Sequence, residues 1–222
     1  PIEPREVNVP TIHNIEGARF GDQIIQDVYI IAAEGGEPKQ LTDDPYQNMG
    51  LMWSPDGQTF YFGLMSIKDR NLQNRNLVAR DLSTGKDEII YRSGDLYIFS
   101  ISPDGRWFAL ICPGNDDAKI MVVSTDGKQS RILHRFEEGI ELGRVPSNTW
   151  SADSKYIYFN RHDPKADQED AGKDPFSTLS TKTYELCRIP LEGGEPEKLG
   201  LKMPSVFLNM SMHPDRHRIA FS

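Results

Sequence analysis

The sequence predicts an all-β protein of repeated four-stranded antiparallel blades, a β-propeller. Two turn motifs recur along the chain at one shared spacing, and the strand that follows the first motif is apolar at nearly every position. Helical periodicity is almost absent. Self-similarity at such a period marks a stacked architecture, in which each unit buries its apolar faces only against its neighbours.

The first motif is Trp53-Ser54-Pro55-Asp56-Gly57. It returns as Ile101-Ser102-Pro103-Asp104-Gly105, and more loosely as Trp150-Ser151-Ala152-Asp153-Ser154 and Met212-His213-Pro214-Asp215-Arg216. The Ser or His positions are 54, 102, 151 and 213, which are 48, 49 and 62 residues apart. An apolar run follows each copy: Phe60-Tyr61-Phe62, Trp107-Phe108-Ala109-Leu110, Tyr156-Ile157-Tyr158-Phe159 and Ile219-Ala220-Phe221. Proline presets φ for a turn, aspartate bonds the backbone two residues on, and glycine accepts positive φ. The motif therefore reads as strand, tight turn, strand. Its aspartates, 56, 104, 153 and 215, are read as turn-stabilising side chains rather than catalytic ones.

The second motif runs in phase with the first. Glu34-Gly35-Gly36-Glu37-Pro38 matches Glu192-Gly193-Gly194-Glu195-Pro196, and Ser83-Thr84-Gly85-Lys86 and Thr125-Asp126-Gly127-Lys128 hold the equivalent places. Each lies between two short β-prone runs, so one period supplies four strands. A strand that is apolar throughout is buried on both faces. Four-stranded sheets packed face to face about an axis bury both faces, which is the geometry of a propeller.

The chain opens on the second half of a period and closes on a first half. It holds about four blade-equivalents, predicted over 27–222, with 1–26 as an N-terminal extension. The half-blades near 27–42 and 208–222 could pair and close a small ring. The alternatives are a part of a larger propeller and a ring shared by two chains, with self-association through open blade edges.

With these residues the chain resembles the TolB-like, or PD40, repeat family of WD40-like propellers. The family pattern is a strand, E-G-G-E-P, a strand ending L-T, and then W-S-P-D-G-x-x-I-A-F. Residues 34–42, 53–57 and 212–221 follow it closely; the third copy departs from it at Ala152 and Ser154. The resemblance implies a binding module rather than an enzyme and favours a bacterial periplasmic, or otherwise extracytoplasmic, setting. It says little more about function, because propellers host many unrelated roles.

Composition narrows the partners. The formal net charge is −8 and no basic run appears, which argues against nucleic acid. The longest apolar stretch is far too short to span a bilayer as a helix. Cys112 and Cys187 form no metal-ligand spacing and are read as two buried free thiols, with a disulfide as the alternative. There is no nucleophile elbow, H-E-x-x-H, P-loop or G-x-G-x-x-G. No cofactor, metal or catalytic residue is assigned.

Both turn motifs should lie on one rim of the propeller. The connections that vary in length lie on the other, where function tends to sit. The binding candidates there are Arg70, Arg75, His134, Arg144, Arg161, His162 and Asp163, and His134 and His162, both on this rim, could approach each other. The acidic segment 161–182 accounts for the long third interval. A protein partner, or a small ligand, bound at this rim is the first expectation. The alternatives are a gating propeller of a prolyl-oligopeptidase-like or tricorn-like serine peptidase, and an enzyme with a metal or sugar site in the channel.

Overall fold

The structure is a computed structural model. It describes residues 19–20, 23–24, 27–43, 46–66, 75–93, 98–113, 117–137, 140–142, 148–162, 183–203, 210–213, 215 and 217–221. Among these residues there are strands and turns and no helix.

Two short hairpins come first: β1 (Arg19–Phe20) with β2 (Gln23–Ile24), and β3 (Tyr29–Ile30) with β4 (Lys39–Gln40). Three sheets of one plan follow. The first sheet joins β5 (Tyr46–Trp53), β6 (Thr59–Ser66), β7 (Arg75–Asp81) and β8 (Asp87–Ser93), antiparallel and in chain order. The second joins β9 (Ile98–Ile101), β10 (Trp107–Pro113), β11 (Ala118–Ser124) and β12 (Ser130–Arg135) in the same way. The third begins with a strand in two segments, β13 (Glu141–Leu142) and β14 (Asn148–Trp150), both paired with β15 (Tyr156–His162). It continues through β16 (Tyr184–Pro190) to β17 (Glu197–Met203). A last hairpin pairs β18 (Ser211–Met212) with β19 (Ile219–Ala220).

The apolar runs explain the stacking. Successive side chains of a strand point to opposite faces, and in the middle strands both faces are covered. In β6, Phe60 and Phe62 meet Val28 of the first repeat hairpin, while Tyr61 meets Phe108 and Leu110 of the second sheet. In β10, Phe108 and Leu110 look back at the first sheet, while Ala109 and Ile111 join Ile157 and Phe159 of the third. In β16, Cys187 and Ile189 face the second sheet, while Tyr184 and Leu186 pack with Met210 beside the last hairpin. Each wholly buried phenylalanine contributes about 2–3 kcal/mol.

The sheets therefore form a row: hairpin, three sheets, hairpin. Contacts between neighbours run through their first strands, β5 beside β9, β9 beside β14 and β14 beside β18. The last strand of the third sheet, β17, is mostly exposed. The sheets thus fan outward from a hub lined by first strands, as propeller blades do. The half-blades lie at opposite ends of this row. Among the described strands β3 pairs only with β4, and β18 only with β19. The pairing that would close a ring of four is not among them.

The first motif makes a hydrogen-bonded turn. The Ser54 hydroxyl donates to Asp56 Oδ1 at 2.5 Å and accepts the Thr59 N–H at 2.9 Å, and Gln58 N–H donates to Asp56 at 3.0 Å. Ser102 with Asp104 and Ser151 with Asp153 repeat the arrangement, as does Ser124 with Asp126 at a turn of the second motif. In the fourth copy His213 replaces serine, and its Nδ1 accepts the Asp215 N–H at 3.1 Å. Ser154, at φ 60°, takes the left-handed place that Gly57 and Gly105 hold in the first two copies.

These bonds hold the turn carboxyls below their usual range. At Asp56 the Ser54 hydroxyl is the largest cause, followed by the Gln58 N–H. At Asp104 burial pushes the other way, but the bonds from Ser102 and Arg106 outweigh it. Carboxyls lowered by folding add stability that is complete above their unfolded value, near pH 4, and is lost as pH falls toward the folded value. The protein is therefore expected to lose stability as pH drops below about 4. Asp104→Asn should flatten that dependence in acid-unfolding curves.

Gly127 carries a constraint that Gly85, its counterpart in the first sheet, escapes. Their φ angles are 71° and 70°. A Cβ on Gly127 would stand 2.6 Å from the Ile90 carbonyl oxygen of the preceding sheet, while one on Gly85 would meet nothing within 4 Å. Gly85→Ala should cost about 1 kcal/mol from backbone strain alone. Gly127→Ala should cost well over that, because strand and turn must also separate; urea denaturation of the two variants compares them.

Candidate functional site

The two rims differ in how their polar groups are used. On the turn rim, neighbouring turns satisfy one another. Leu82 N–H donates to the Gln58 carbonyl at 3.1 Å, Thr125 N–H to Arg106 at 3.0 Å and Leu191 N–H to Lys155 at 2.7 Å. Asp104 N–H donates to Ser154 Oγ of the next sheet at 3.2 Å. Ser54, Ser102, Ser124 and Ser151 each spend their proton and an acceptor lone pair inside their own turn. The opposite rim is where β6 leaves toward β7, β10 toward β11 and β15 toward β16.

Arg161 and His162 reach that opposite rim at the end of β15. Arg161 is paired in register with Glu185 and Leu142, and His162 with Tyr184 and Glu141. Adjacent residues face opposite ways. Arg161 shares a face with Leu142 and Cys187, toward the second sheet, while the His162 ring lies 5.5 Å from Tyr184 on the face toward the last hairpin. His134 is not in a loop. It lies within β12, paired with Ile120, with its ring 4.6 Å from Phe136 and its Nδ1 4.0 Å from Glu195 of the next sheet's turn. The expectation that His134 stands in a loop fails because pairing with β11 continues past the apolar run, to Phe136 N–H on the Ala118 carbonyl. His134 and His162 thus sit on opposite sides of the third sheet and do not converge. Arg75 begins β7, opposite Met65 and Ser93. Arg70, Arg144 and Asp163 lie outside the described residues.

Other charges pair across neighbouring strands. Asp117 accepts from Lys119 Nζ at 2.7 Å and from the Arg135 guanidinium. Lys198 Nζ stands 3.3 Å from Glu185, whose side chain is largely buried. Each acid is thus matched by a base, and salt will screen the exposed pairs. Among the described residues no group of three or more His, Cys, Asp or Glu is placed to hold a metal ion.

Polar side chains tie the hub strands to their neighbours. Asn148 Nδ2 donates to the Ala109 carbonyl at 3.4 Å, Trp150 Nε1 to the Ser100 carbonyl at 3.2 Å, and Asn48 Nδ2 to Thr42 Oγ1 at 3.2 Å. Thr42 Oγ1 also accepts the Val28 N–H at 2.8 Å, which locks the first repeat hairpin. The described strands thus form a scaffold with charges of both signs at its rim.

No family model matches the sequence. TolB of Acinetobacter baumannii superimposes with a TM-score of 0.60 at 19% identity, over 88% of this chain and 42% of that one. The oligogalacturonate lyase of Vibrio parahaemolyticus gives a TM-score of 0.58 at 15% identity, over 86% of this chain and 50% of the lyase. The chain has the TolB-like β-propeller fold. In sequence, the uncharacterized peptidase YuxL of Bacillus subtilis (strain 168) is 24% identical over 148 residues, 66% of this chain and 19% of the peptidase. This TolB-like chain thus spans less than half of the TolB structure and about a fifth of the peptidase.

The free thiols lie in different seams, Cys112 between the first and second sheets and Cys187 between the second and third. Burial pushes the Cys187 thiol up to about 11. An inert thiol follows, since the thiolate is the reactive form. Neither cysteine should react with a thiol reagent in the native state at neutral pH, and both should react on unfolding. Rapid native labelling of either would contradict the packing.

Proposed function

We propose that this TolB-like propeller is a non-catalytic binding and scaffold module that engages a protein partner through its loop rim. One observation carries the reading. The turn rim bonds its turns to one another, whereas Asp117, Arg135 and Lys202 stand exposed at the strand ends of the opposite rim, between connections whose lengths vary in the sequence. Contact surfaces of this kind, on variable segments held by a rigid scaffold, are the usual place for recognition. An extracytoplasmic setting accompanies this proposal, on the resemblance to TolB.

A second reading is favoured by the peptidase relative. In it the propeller gates access to a serine peptidase domain in the same polypeptide. A hydrolase domain encoded in the same gene would decide for it, as would peptide hydrolysis by the whole protein that becomes unselective for substrate size when the propeller is removed.

Charge reversal separates the rims. Arg135→Glu with Lys202→Glu, both exposed on the loop rim, should weaken partner binding at least tenfold without changing the melting temperature. Arg106→Glu with Lys128→Glu, exposed on the turn rim, should leave it intact. Crosslinking with mass spectrometry identifies the partner and titration calorimetry measures its affinity. Loss of binding from the turn-rim pair alone would overturn the assignment.

A further inference from the structure

Counting from the turn serine identifies equivalent residues in the three complete sheets. The tenth residue after Ser54, Ser102 and Ser151 is Leu64, Cys112 and Arg161. The register carries each of them outward through two more strands. Leu64 pairs with Asn76, and Asn76 with Arg92 on β8. Cys112 pairs with Lys119, and Lys119 with Arg135 on β12. Arg161 pairs with Glu185, and Glu185 with Lys202 on β17. Directly opposed residues share a face, so Arg92, Arg135 and Lys202 hold one place in three successive sheets. Each lies on the outer strand near its loop-rim end, and each is exposed.

A charge on an outer strand can guard an open edge against pairing, and either sign serves. The seventh residue after the turn serine leads by the same path to Glu88, Arg131 and Glu197, where the sign alternates. At the loop-rim place the sign is constant, in a chain of formal net charge −8. Edge protection does not account for that constancy. The turn rim differs again, because its cations are neutralised within their own turns: Arg106 by Asp104 at 2.8 Å, Lys128 by Asp126 at 3.3 Å and Lys155 by Asp153 at 3.8 Å. On the outer strands Arg135 meets Asp117, and Glu185, opposite Lys202, stands 3.3 Å from Lys198. Among the described residues no acid lies within ion-pair distance of Arg92 or Lys202.

The span decides the class of ligand. Sheets packed face to face stand about 10 Å apart, so the three cations cover at least about 20 Å. A small acid cannot bridge that distance, whereas an extended chain does so in about six residues at about 3.3 Å each. The net charge of the chain disfavours a dense polyanion such as nucleic acid. We propose that Arg92, Arg135 and Lys202 form a collar that receives an acidic segment of the protein partner. This rests on the loop rim being the binding surface and adds the chemistry of what binds there. Rim charges of this kind set the encounter rate and the salt dependence of binding.

A dye-labelled peptide of about ten glutamates, long enough to span the collar, is the probe. It is titrated into the whole chain, with anisotropy and backbone amide shifts as readouts. The expected result is saturable binding at low ionic strength that weakens toward about 0.15 M salt, with the largest shifts at 91–93, 134–135 and 201–203. Arg92→Glu, Arg135→Glu and Lys202→Glu together should weaken it at least tenfold. Reversal keeps a charge on each edge, so a mere edge guard would lose nothing. Arg106→Glu, Lys128→Glu and Lys155→Glu together should leave binding unchanged. Should the collar variant fail to fold, the shifts in the unmodified chain still decide. No binding, shifts as large at the turn-rim cations, or tighter binding of a duplex DNA oligonucleotide would overturn the collar. If the natural partner crosslinks to the loop rim while the peptide leaves the collar unmoved, the collar is wrong and the binding rim stands; crosslinks to the turn rim alone would remove both.

Discussion

Two-sided burial of the middle strands is the constraint on which everything else depends. Phe60, Phe108, Phe159 and their neighbours leave no wet face on β6, β10 or β15. A sheet of this kind is not stable alone in water, so each blade requires a neighbour on either side. Stacking then forces the first strands together at a hub and spreads the last strands outward. The same closeness bears on two of the turn glycines: a Cβ on Gly127 would stand 2.6 Å from the Ile90 carbonyl oxygen of the preceding sheet, and one on Gly193 would press on that of Leu133 at 3.1 Å.

Much of this was legible from residue order. The Ser-Pro-Asp-Gly turns form where the motif stands, and their aspartates act on the turn backbone, as the chemistry of proline, aspartate and glycine dictates. The apolar runs after the first three copies became the doubly buried strands, whereas Ile219-Ala220-Phe221 is only partly covered. Other features were not legible. Ser124-Thr125-Asp126-Gly127 uses the same Ser–Asp bond as the first motif, although it was read only by its glycine. Trp53 and Trp150 look alike in sequence and differ in exposure: Trp150 reaches the Ser100 carbonyl on the first strand of the preceding sheet, and the hairpin packed before the first sheet has only β3 and β4 among the described residues.

The candidate site was less legible for a physical reason. A histidine beside an apolar run can end a strand or continue it, and only pairing with the next strand decides. His134 continues β12, whereas Arg161 and His162 reach the rim and then point to opposite faces. The pairs Asp117–Arg135 and Glu185–Lys198 are contacts across strands, set by register rather than by sequence distance. The proposed function places recognition on a surface, and a surface is assembled from residues far apart in the chain, so no short motif announces it.

Native-state hydrogen exchange tests the mutual dependence of the blades most directly. The account predicts that amides of β6–β7, β10–β11 and β15–β16 exchange through one shared opening with a common free energy, and that Phe108→Ala in the second sheet lowers it in all three. Three separate opening energies, with only the second lowered by that substitution, would contradict it.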